Sequence, residues 1–314
     1  MKLTNRFFIV PAVASVLLAT GAARSVQPPE HGHETKQESK HETRPQVAEP
    51  SKGKSSEPAA KQSGELPKTE SRPIVLPPRE PKAAIAKDPV ASQKADEAMA
   101  QLKEGNEHWI SGNANHPNAT SQRRQEVAEG GQHPFATVFT CADSRLPVEL
   151  IFDRGVGDIF VVRVAGNVVG NMEAGTIEYG VEHLKTPLLV VMGHTKCGAV
   201  AAAASKGATH GKITDLVTAI KPAVERAQRN NPRATPEDVA RLSVKENVWQ
   251  SIFDLIKNSE VIREKLEAGQ VRIVGAICDV STGKIEWLGE HPWQAELVDA
   301  MAVKSANTAE VEGK

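Results

Sequence analysis

Two short stretches of the chain combine residue types that bind metals. The first places Cys141, Asp143 and Arg145 at alternate positions, and the second places His194 three residues before Cys197. Two thiolates, an imidazole and a carboxylate are ligand types that Zn²⁺ accepts at the corners of a tetrahedron. Arg145 can compete with a metal for Asp143, so such a site could be closed by its own aspartate and opened by its own arginine. A zinc ion with one open position is catalytic rather than structural.

Ligand types alone leave a second interpretation open, in which Cys141 and Cys197 are small buried residues and His194 is a hydrogen-bonded core histidine. The segments that precede them favour the metal site. Residues 135–140 and 187–193 are apolar, β-branched runs typical of buried parallel strands, and they lead directly to Cys141 and His194. Open α/β sheets bind their ligands at the carboxyl ends of such strands.

The rest of the pattern predicts an α/β fold with a mostly parallel β-sheet flanked by helices. About four parallel strands are expected, over 135–140, 158–163, 187–193 and 271–277, with 285–288 as an antiparallel edge strand. Helices are predicted over 91–111 (capped by Asp88 or Ser92), 121–129, 171–185 and 198–205, with a turn of helix after Pro147 that packs Val148, Leu150, Ile151 and Phe152 inward. Residues 213–262 are expected to be mostly helical, with breaks at Pro222, Pro232 and Pro236, and residues 295–301 to form a short helix.

The N-terminal residues predict export. A charged start, an apolar segment from Phe7 to Leu18 and small residues through Ala23 are typical of a signal peptide, so residues 1–23 are expected to be removed. The apolar segment is too short to span a membrane comfortably, and we expect no stable membrane anchor. The mature protein would be periplasmic or secreted. Residues 24–88 are rich in Pro, Glu and Lys and predict a disordered linker.

Composition narrows the remaining possibilities. The formal net charge is −1, which gives no reason to expect nucleic acid as a partner. The chain has only three cysteines, an odd number that does not suit a disulfide framework. Cys278 is interpreted as a buried thiol. Residues 89–303 are long enough for one catalytic domain, and residues 304–314 are expected to form a disordered tail.

The ordered set of motifs resembles the β-class carbonic anhydrases, here of an exported bacterial type. The pair Cys141-Ala-Asp143-Ser-Arg145 and His194-x-x-Cys197-Gly198 carries the resemblance. It is extended by the motifs at 102–106, 160–167, 175–179 and 279–283 and covers roughly residues 93–290. The resemblance implies a mostly parallel α/β sheet, Zn²⁺ as cofactor, carbon dioxide and bicarbonate as substrates, and a homodimer or homotetramer.

The resemblance also implies roles for single residues. Cys141, His194 and Cys197 would be constant zinc ligands, and Asp143 a fourth ligand in a closed state that pairs with Arg145 in an open one. Gln132 and the backbone N–H of Gly198 would bind bicarbonate, with Gln132 commonly acting across a subunit interface. Some family members hold a second bicarbonate beside a tryptophan. Arg163 matches that site but residues 137–140 contain no tryptophan, so the site is not expected here.

The implied reaction is reversible hydration of carbon dioxide to bicarbonate and a proton by attack of zinc-bound hydroxide. Zinc lowers the pKa of bound water from about 15.7 to about 7. Because two thiolates donate more charge than imidazoles, the site needs a positive or hydrogen-bonding surround. Two alternatives remain: a related zinc hydrolase of another small linear substrate such as carbon disulfide, and a non-catalytic zinc-binding envelope protein.

Overall fold

A computed structural model describes residues 88–205 and 207–301. The predicted signal peptide, all of the linker but Asp88, and the C-terminal tail lie outside these residues. The helices are Pro89–Ser111 (α1), Ser121–Gly130 (α2), Val148–Ile151 (α3), Asn171–Glu178 (α4), Gly198–Ala204 (α5), Ile213–Asn230 (α6), Pro236–Asn258 (α7), Glu260–Glu267 (α8) and residues 294–301 (α9). The strands are Ala136–Cys141 (β1), Ile159–Val164 (β2), Leu188–His194 (β3), Arg272–Cys278 (β4) and Ile285–Gly289 (β5).

The strands form one sheet in the order β2-β1-β3-β4-β5. The first four are parallel and β5 pairs antiparallel with β4, which confirms the predicted sheet. In the β1–β3 ladder Thr140 lies opposite Met192, and the Thr140 hydroxyl donates to the Met192 carbonyl 2.8 Å away. This register brings the carboxyl ends of both strands to the same edge, so Cys141 and His194 end neighbouring strands.

Every residue of β1 and β3 is buried, as continuous apolar strands covered on both faces require. Helices flank the sheet: α7 packs against β3 and β4, α1 against β3, and α4 against β2. Gly193 in β3 and Gly275 in β4 let α7 approach closely, because a Cβ atom at either position would lie 2.8 Å from a side chain of α7. The edge of the sheet that carries Cys141 and His194 thus belongs to strands that are buried throughout.

Sequence signals placed most helix ends correctly. Asp88 caps α1 by accepting from the N–H groups of Val90 and Ala91, and Gly112 ends it at φ 75°. Pro236 starts α7 behind the Thr235 cap. The strands begin and end within one residue of the predicted positions, and β1 includes Cys141 as its last residue.

Three predictions were wrong. Pro222 lies inside α6 without breaking it. Pro222 and Thr218, whose carbonyl loses its partner, are both exposed, so water can satisfy that carbonyl. The helix predicted over 171–185 changes to a π-helical turn over Tyr179–His183. Leu150 in α3 does not pack inward, because 41% of it is exposed.

Within the described ranges, no helix combines the length and hydrophobicity needed to cross a membrane.

Candidate metal centre

Three side chains with metal-binding atoms converge at the carboxyl edge of the sheet. Cys141 ends β1, His194 ends β3, and Cys197 directly precedes α5. The two sulfur atoms and a ring nitrogen all lie within 4.8 Å of one another, and all three residues are buried. The turn between His194 and Cys197 is tight, since Lys196 adopts φ 56° in the left-handed region. This turn brings the Cys197 sulfur back to the histidine.

His194 has the arrangement of a ligand rather than of a satisfied core histidine. Its Nδ1 lies 2.9 Å from the carbonyl oxygen of Thr195. A carbonyl only accepts, so Nδ1 carries the proton and Nε2 presents its lone pair. Nε2 is buried and has no hydrogen-bond partner in the described chain. Leaving a buried polar atom unpaired is costly, and a metal ion would satisfy it.

The two thiols are prepared unequally for ionisation. A hydrogen bond from Cys197 lowers the pKa of the Cys141 thiol to about 4, helped by the backbone N–H of Gly166 at 3.2 Å from its sulfur. The same interaction raises the pKa of Cys197, as does burial, although the N–H groups of Val200 and Ala199 oppose this shift. Loss of the proton from Cys197 is therefore opposed while Cys141 is a thiolate. A divalent metal can displace that proton, as thiolate ligation requires.

The donor set therefore fits Zn²⁺. Two sulfurs and one imidazole nitrogen are borderline-soft donors, and three protein ligands leave a fourth tetrahedral position for a carboxylate or for solvent. The interpretation without a metal, in which Cys141 and Cys197 are only small buried residues and His194 is a hydrogen-bonded core histidine, does not explain why Nε2 of His194 is unpaired.

Asp143 lies at the edge of this cluster and is paired with Arg145. Its Oδ1 accepts from Nε of Arg145 at 2.9 Å and its Oδ2 from Nη2 at 2.7 Å, a two-pronged ion pair. These bonds hold the pKa of Asp143 well below its usual range. Oδ2 of Asp143 is 3.9 Å from Nε2 of His194. The sequence allowed two arrangements, with Asp143 either bound to the metal or paired with Arg145. The structure shows the pairing with Arg145.

Backbone carbonyls accept hydrogen bonds from two arginines, Arg145 and Arg163. Arg145 also donates to the carbonyl of Lys196, 3.2 Å away. Arg163, on the neighbouring strand β2, donates to the carbonyls of Cys141 and Asp143. Arg163 is therefore used to hold the loop that joins the first ligand to the carboxylate.

The two predicted substrate-binding residues are placed differently. Gly198 directly follows Cys197 as the first residue of α5, is exposed, and has no atom within 4 Å of a built Cβ position. A side chain at this position would therefore meet open space directly beside Cys197. Gln132 is exposed in the segment between α2 and β1, and no hydrogen bond joins its side chain to the rest of the described chain.

Sequence reasoning missed a group of buried polar residues behind Cys141. Asn167, Asn247 and Ser251 are each at most 2% exposed and are hydrogen-bonded to one another or to the Ala165–Asn167 turn. A signal was available, because Asn247 and Ser251 stand four residues apart on a helix face that otherwise carries Val244, Val248, Ile252 and Leu255. A polar pair within a buried stripe needs partners from another part of the chain.

Comparisons with known proteins agree on one family. The family model described as carbonic anhydrase matches residues 136–285. Carbonic anhydrase 2 of Mycobacterium tuberculosis is 39% identical over 201 residues, which cover 63% of this chain and 91% of that protein. The carbonic anhydrase of Mycolicibacterium smegmatis is 36% identical over 203 residues, covering 63% and 93%. The crystal structure of the β-carbonic anhydrase CafA of Aspergillus fumigatus matches with a TM-score of 0.52 and 26% identity, over 67% of this chain and 97% of that one.

Proposed function

The chain belongs to the β-class carbonic anhydrase family, and from that membership we propose that the cluster of Cys141, His194 and Cys197 is its catalytic zinc site. The family supports reversible hydration of carbon dioxide to bicarbonate and a proton. One observation carries the assignment of the site: the buried Nε2 of His194 has no hydrogen-bond partner among the described residues, although the imidazole lies beside two thiols.

Zinc held by these three residues would supply a Lewis acid that ionises water near neutral pH. The protein's own part is to keep the ligands deprotonated and correctly oriented. The Thr195 carbonyl fixes the tautomer of His194, and the Gly166 N–H favours the thiolate of Cys141. The N–H groups of Ala199 and Val200 do the same for Cys197.

Asp143 is proposed to orient the nucleophile. Its low pKa makes the carboxylate an acceptor only, so it takes a hydrogen bond from the O–H of the attacking hydroxide and leaves the oxygen lone pair facing the carbon of carbon dioxide. Arg145 keeps the carboxylate in this position through both of its oxygens. The net reaction converts carbon dioxide and water into bicarbonate and one proton.

Binding of bicarbonate is proposed to use the backbone N–H of Gly198 and the side chain of Gln132. Gly198 is beside the cluster in the same protomer. Gln132 is exposed, and the family resemblance assigns its side chain to the site of a second copy. We therefore propose a homodimer or homotetramer as the active form, and export to the periplasm or medium on the basis of the N-terminal sequence alone.

The test is to purify the full chain, measure its zinc content, and follow carbon dioxide hydration by stopped-flow with a pH indicator. We expect about one zinc per chain and hydration that is lost on chelation and restored by Zn²⁺. Carbon disulfide is offered in parallel, since the same ligands could serve its hydrolysis. Zinc-loaded protein that hydrolyses carbon disulfide but does not hydrate carbon dioxide would refute the proposal.

A further inference from the structure

The Ala165–Asn167 turn, which follows β2, supplies a hydrogen bond to one of the cluster's sulfurs. The N–H of Gly166 donates to Sγ of Cys141 at 3.2 Å. Gly166 adopts φ 70°, and a Cβ atom there would lie 2.7 Å from Cδ1 of Ile220 and 3.0 Å from Cβ of Ala199. The turn is thus pressed against α5 and α6 in a conformation that suits glycine. Its N–H can point at the sulfur only while the turn stays in this place.

Helix α7 holds the turn from behind. Nδ2 of Asn247 donates to the carbonyl of Gly166 at 2.8 Å. Ser251 accepts from Nδ2 of Asn167 at 3.1 Å and its hydroxyl lies 2.6 Å from the carbonyl of Asn167. All three side chains are nearly fully buried. The two carbonyls of the turn are therefore fixed by side chains more than 80 residues further along the chain.

An N–H···S bond matters more in this site than in one built from imidazoles. Two thiolates donate much charge to a metal and weaken it as a Lewis acid. A hydrogen bond to sulfur withdraws part of that charge, and hydrogen bonds to ligands are a common means by which proteins tune metals. The Gly166 N–H donates such a hydrogen bond to Cys141. It thus supplies the hydrogen-bonding environment that a site with two thiolates requires.

We propose that Asn247 and Ser251 are positioning residues that set the donor strength of the Cys141 sulfur by holding the Gly166 N–H against it. The inference rests on the proposed function in so far as a metal must bind to Cys141. Asn247 and Ser251 would touch neither the metal nor the substrate. Besides contributing to packing, they would have an electronic effect on the Cys141 ligand.

Ser251→Ala offers a test with a closely matched control. It removes the hydroxyl that meets Asn167. Ser243→Ala makes the same change two turns earlier on α7, where the hydroxyl is equally buried but bonds only to the Val239 carbonyl of its own helix. Asn247→Ala is the second variant, which removes the donor to Gly166. The full chain is used throughout, loaded with Co²⁺ or Zn²⁺ alone.

Two readouts test the proposal, and the charge-transfer band separates an electronic role from a purely structural one. In the Co²⁺ protein, the sulfur-to-metal charge-transfer band should move to longer wavelength in Ser251→Ala and Asn247→Ala, because a thiolate without its hydrogen bond gives up charge more easily. Zinc affinity, measured by competition with a chelator, should fall about tenfold or more in both, the usual effect of losing a group that orients a ligand. Ser243→Ala should match the wild type in both readouts.

A charge-transfer band and zinc affinity that are unchanged in Ser251→Ala would overturn the proposal. So would an equal change in Ser243→Ala, since this would reflect general loosening of α7. If Asn247→Ala does not fold, the comparison between the two serine variants still decides. Failure of the wild-type chain to bind Co²⁺ or Zn²⁺ at all would instead refute the proposed function, so the two failures are distinguishable.

Discussion

Gly166→Ala perturbs the cluster from behind without changing any proposed ligand. A methyl group at this position would lie 2.7 Å from Cδ1 of Ile220 and 3.0 Å from Cβ of Ala199. Ile220 ends in a flexible methyl that can turn aside, but Ala199 is the second residue of α5 and moves only with that helix. Because Cys197 directly precedes α5, pressure on Ala199 reaches one ligand, while displacement of the turn removes the N–H from Cys141.

The cost has two parts. A non-glycine residue at φ 70° is strained by about 1–2 kcal/mol. Overpacking of a buried position adds about 1–3 kcal/mol, and the low end applies here because Ile220 can yield. We therefore expect Gly166→Ala to lower the free energy of unfolding by about 2–3 kcal/mol.

Gly112→Ala separates the two parts. Gly112 has φ 75°, close to that of Gly166, but no atom lies within 4 Å of a Cβ built on it. Urea unfolding of the metal-free proteins, at the same protein concentration, should show that Gly112→Ala lowers the free energy of unfolding by about 1–2 kcal/mol, from strain alone. Gly166→Ala should lose more, and only this variant should also lose zinc affinity. Equal losses in the two variants, with zinc affinity intact in both, would refute the view that the turn is wedged against α5.

Three further predictions concern the cluster and the domain's response to pH. Cys197→Ser should abolish zinc binding and hydration together, whereas Cys278→Ser, at an equally buried thiol outside the cluster, should keep one zinc per chain; a full equivalent of zinc in Cys197→Ser would contradict the ligand assignment. Asp143→Asn should keep zinc but lose most of the hydration rate, because an amide cannot replace the carboxylate as an acceptor bound at both oxygens by Arg145; stopped-flow rates near the wild-type value would count against that pair. Burial, assisted by Arg226, lowers the pKa of His291 from 6.5 to about 4, so the unfolded chain binds more protons and stability should fall as the pH drops below 6.5. Between pH 7 and pH 5 the free energy of unfolding of the wild type should fall by about 1 kcal/mol more than that of His291→Gln, a figure that allows for partial exposure of the ring. Urea unfolding that shows the same fall for both proteins would reject this prediction.

Most of the fold could be predicted because its signals are local. Strands buried on both faces appear as continuous apolar runs, and caps such as Asp88 and stops such as Gly112 mark helix ends. The wrong predictions arose where tertiary context decides. Pro222 is tolerated because it faces solvent, and the face of α3 that carries Leu150 depends on the angle at which a single helical turn meets the sheet.

The cluster itself could be predicted because its members end two strands that are adjacent in the sheet. Cys141 and His194 end β1 and β3, which the apolar runs predicted as parallel strands, and the structure shows that these two strands pair. The support behind the cluster could not be predicted in the same way. Gly166 meets Asn247 across 81 residues, and nothing in either segment specifies which buried polar group pairs with which carbonyl. Such partners depend on the packing of α7 against the sheet, which periodicity does not determine.

The described contacts divide the site into a fixed half and an adjustable half. The three proposed ligands are buried and held by backbone groups: Cys141 by the Gly166 N–H, His194 by the Thr195 carbonyl, and Cys197 by the start of α5. The Asp143–Arg145 pair is on the solvent side, with 18% and 48% of the two side chains exposed. Because Oδ2 of Asp143 is only 3.9 Å from Nε2 of His194, rotation of one carboxylate could carry it toward the metal position without displacing any ligand. That rotation would break the two hydrogen bonds between Asp143 and Arg145. Arg145 also donates to the Lys196 carbonyl, and this hydrogen bond keeps the guanidinium from moving with the carboxylate. A substitution that weakens this anchor should therefore shift the site toward carboxylate ligation, whereas one that weakens α7 should loosen the ligands themselves.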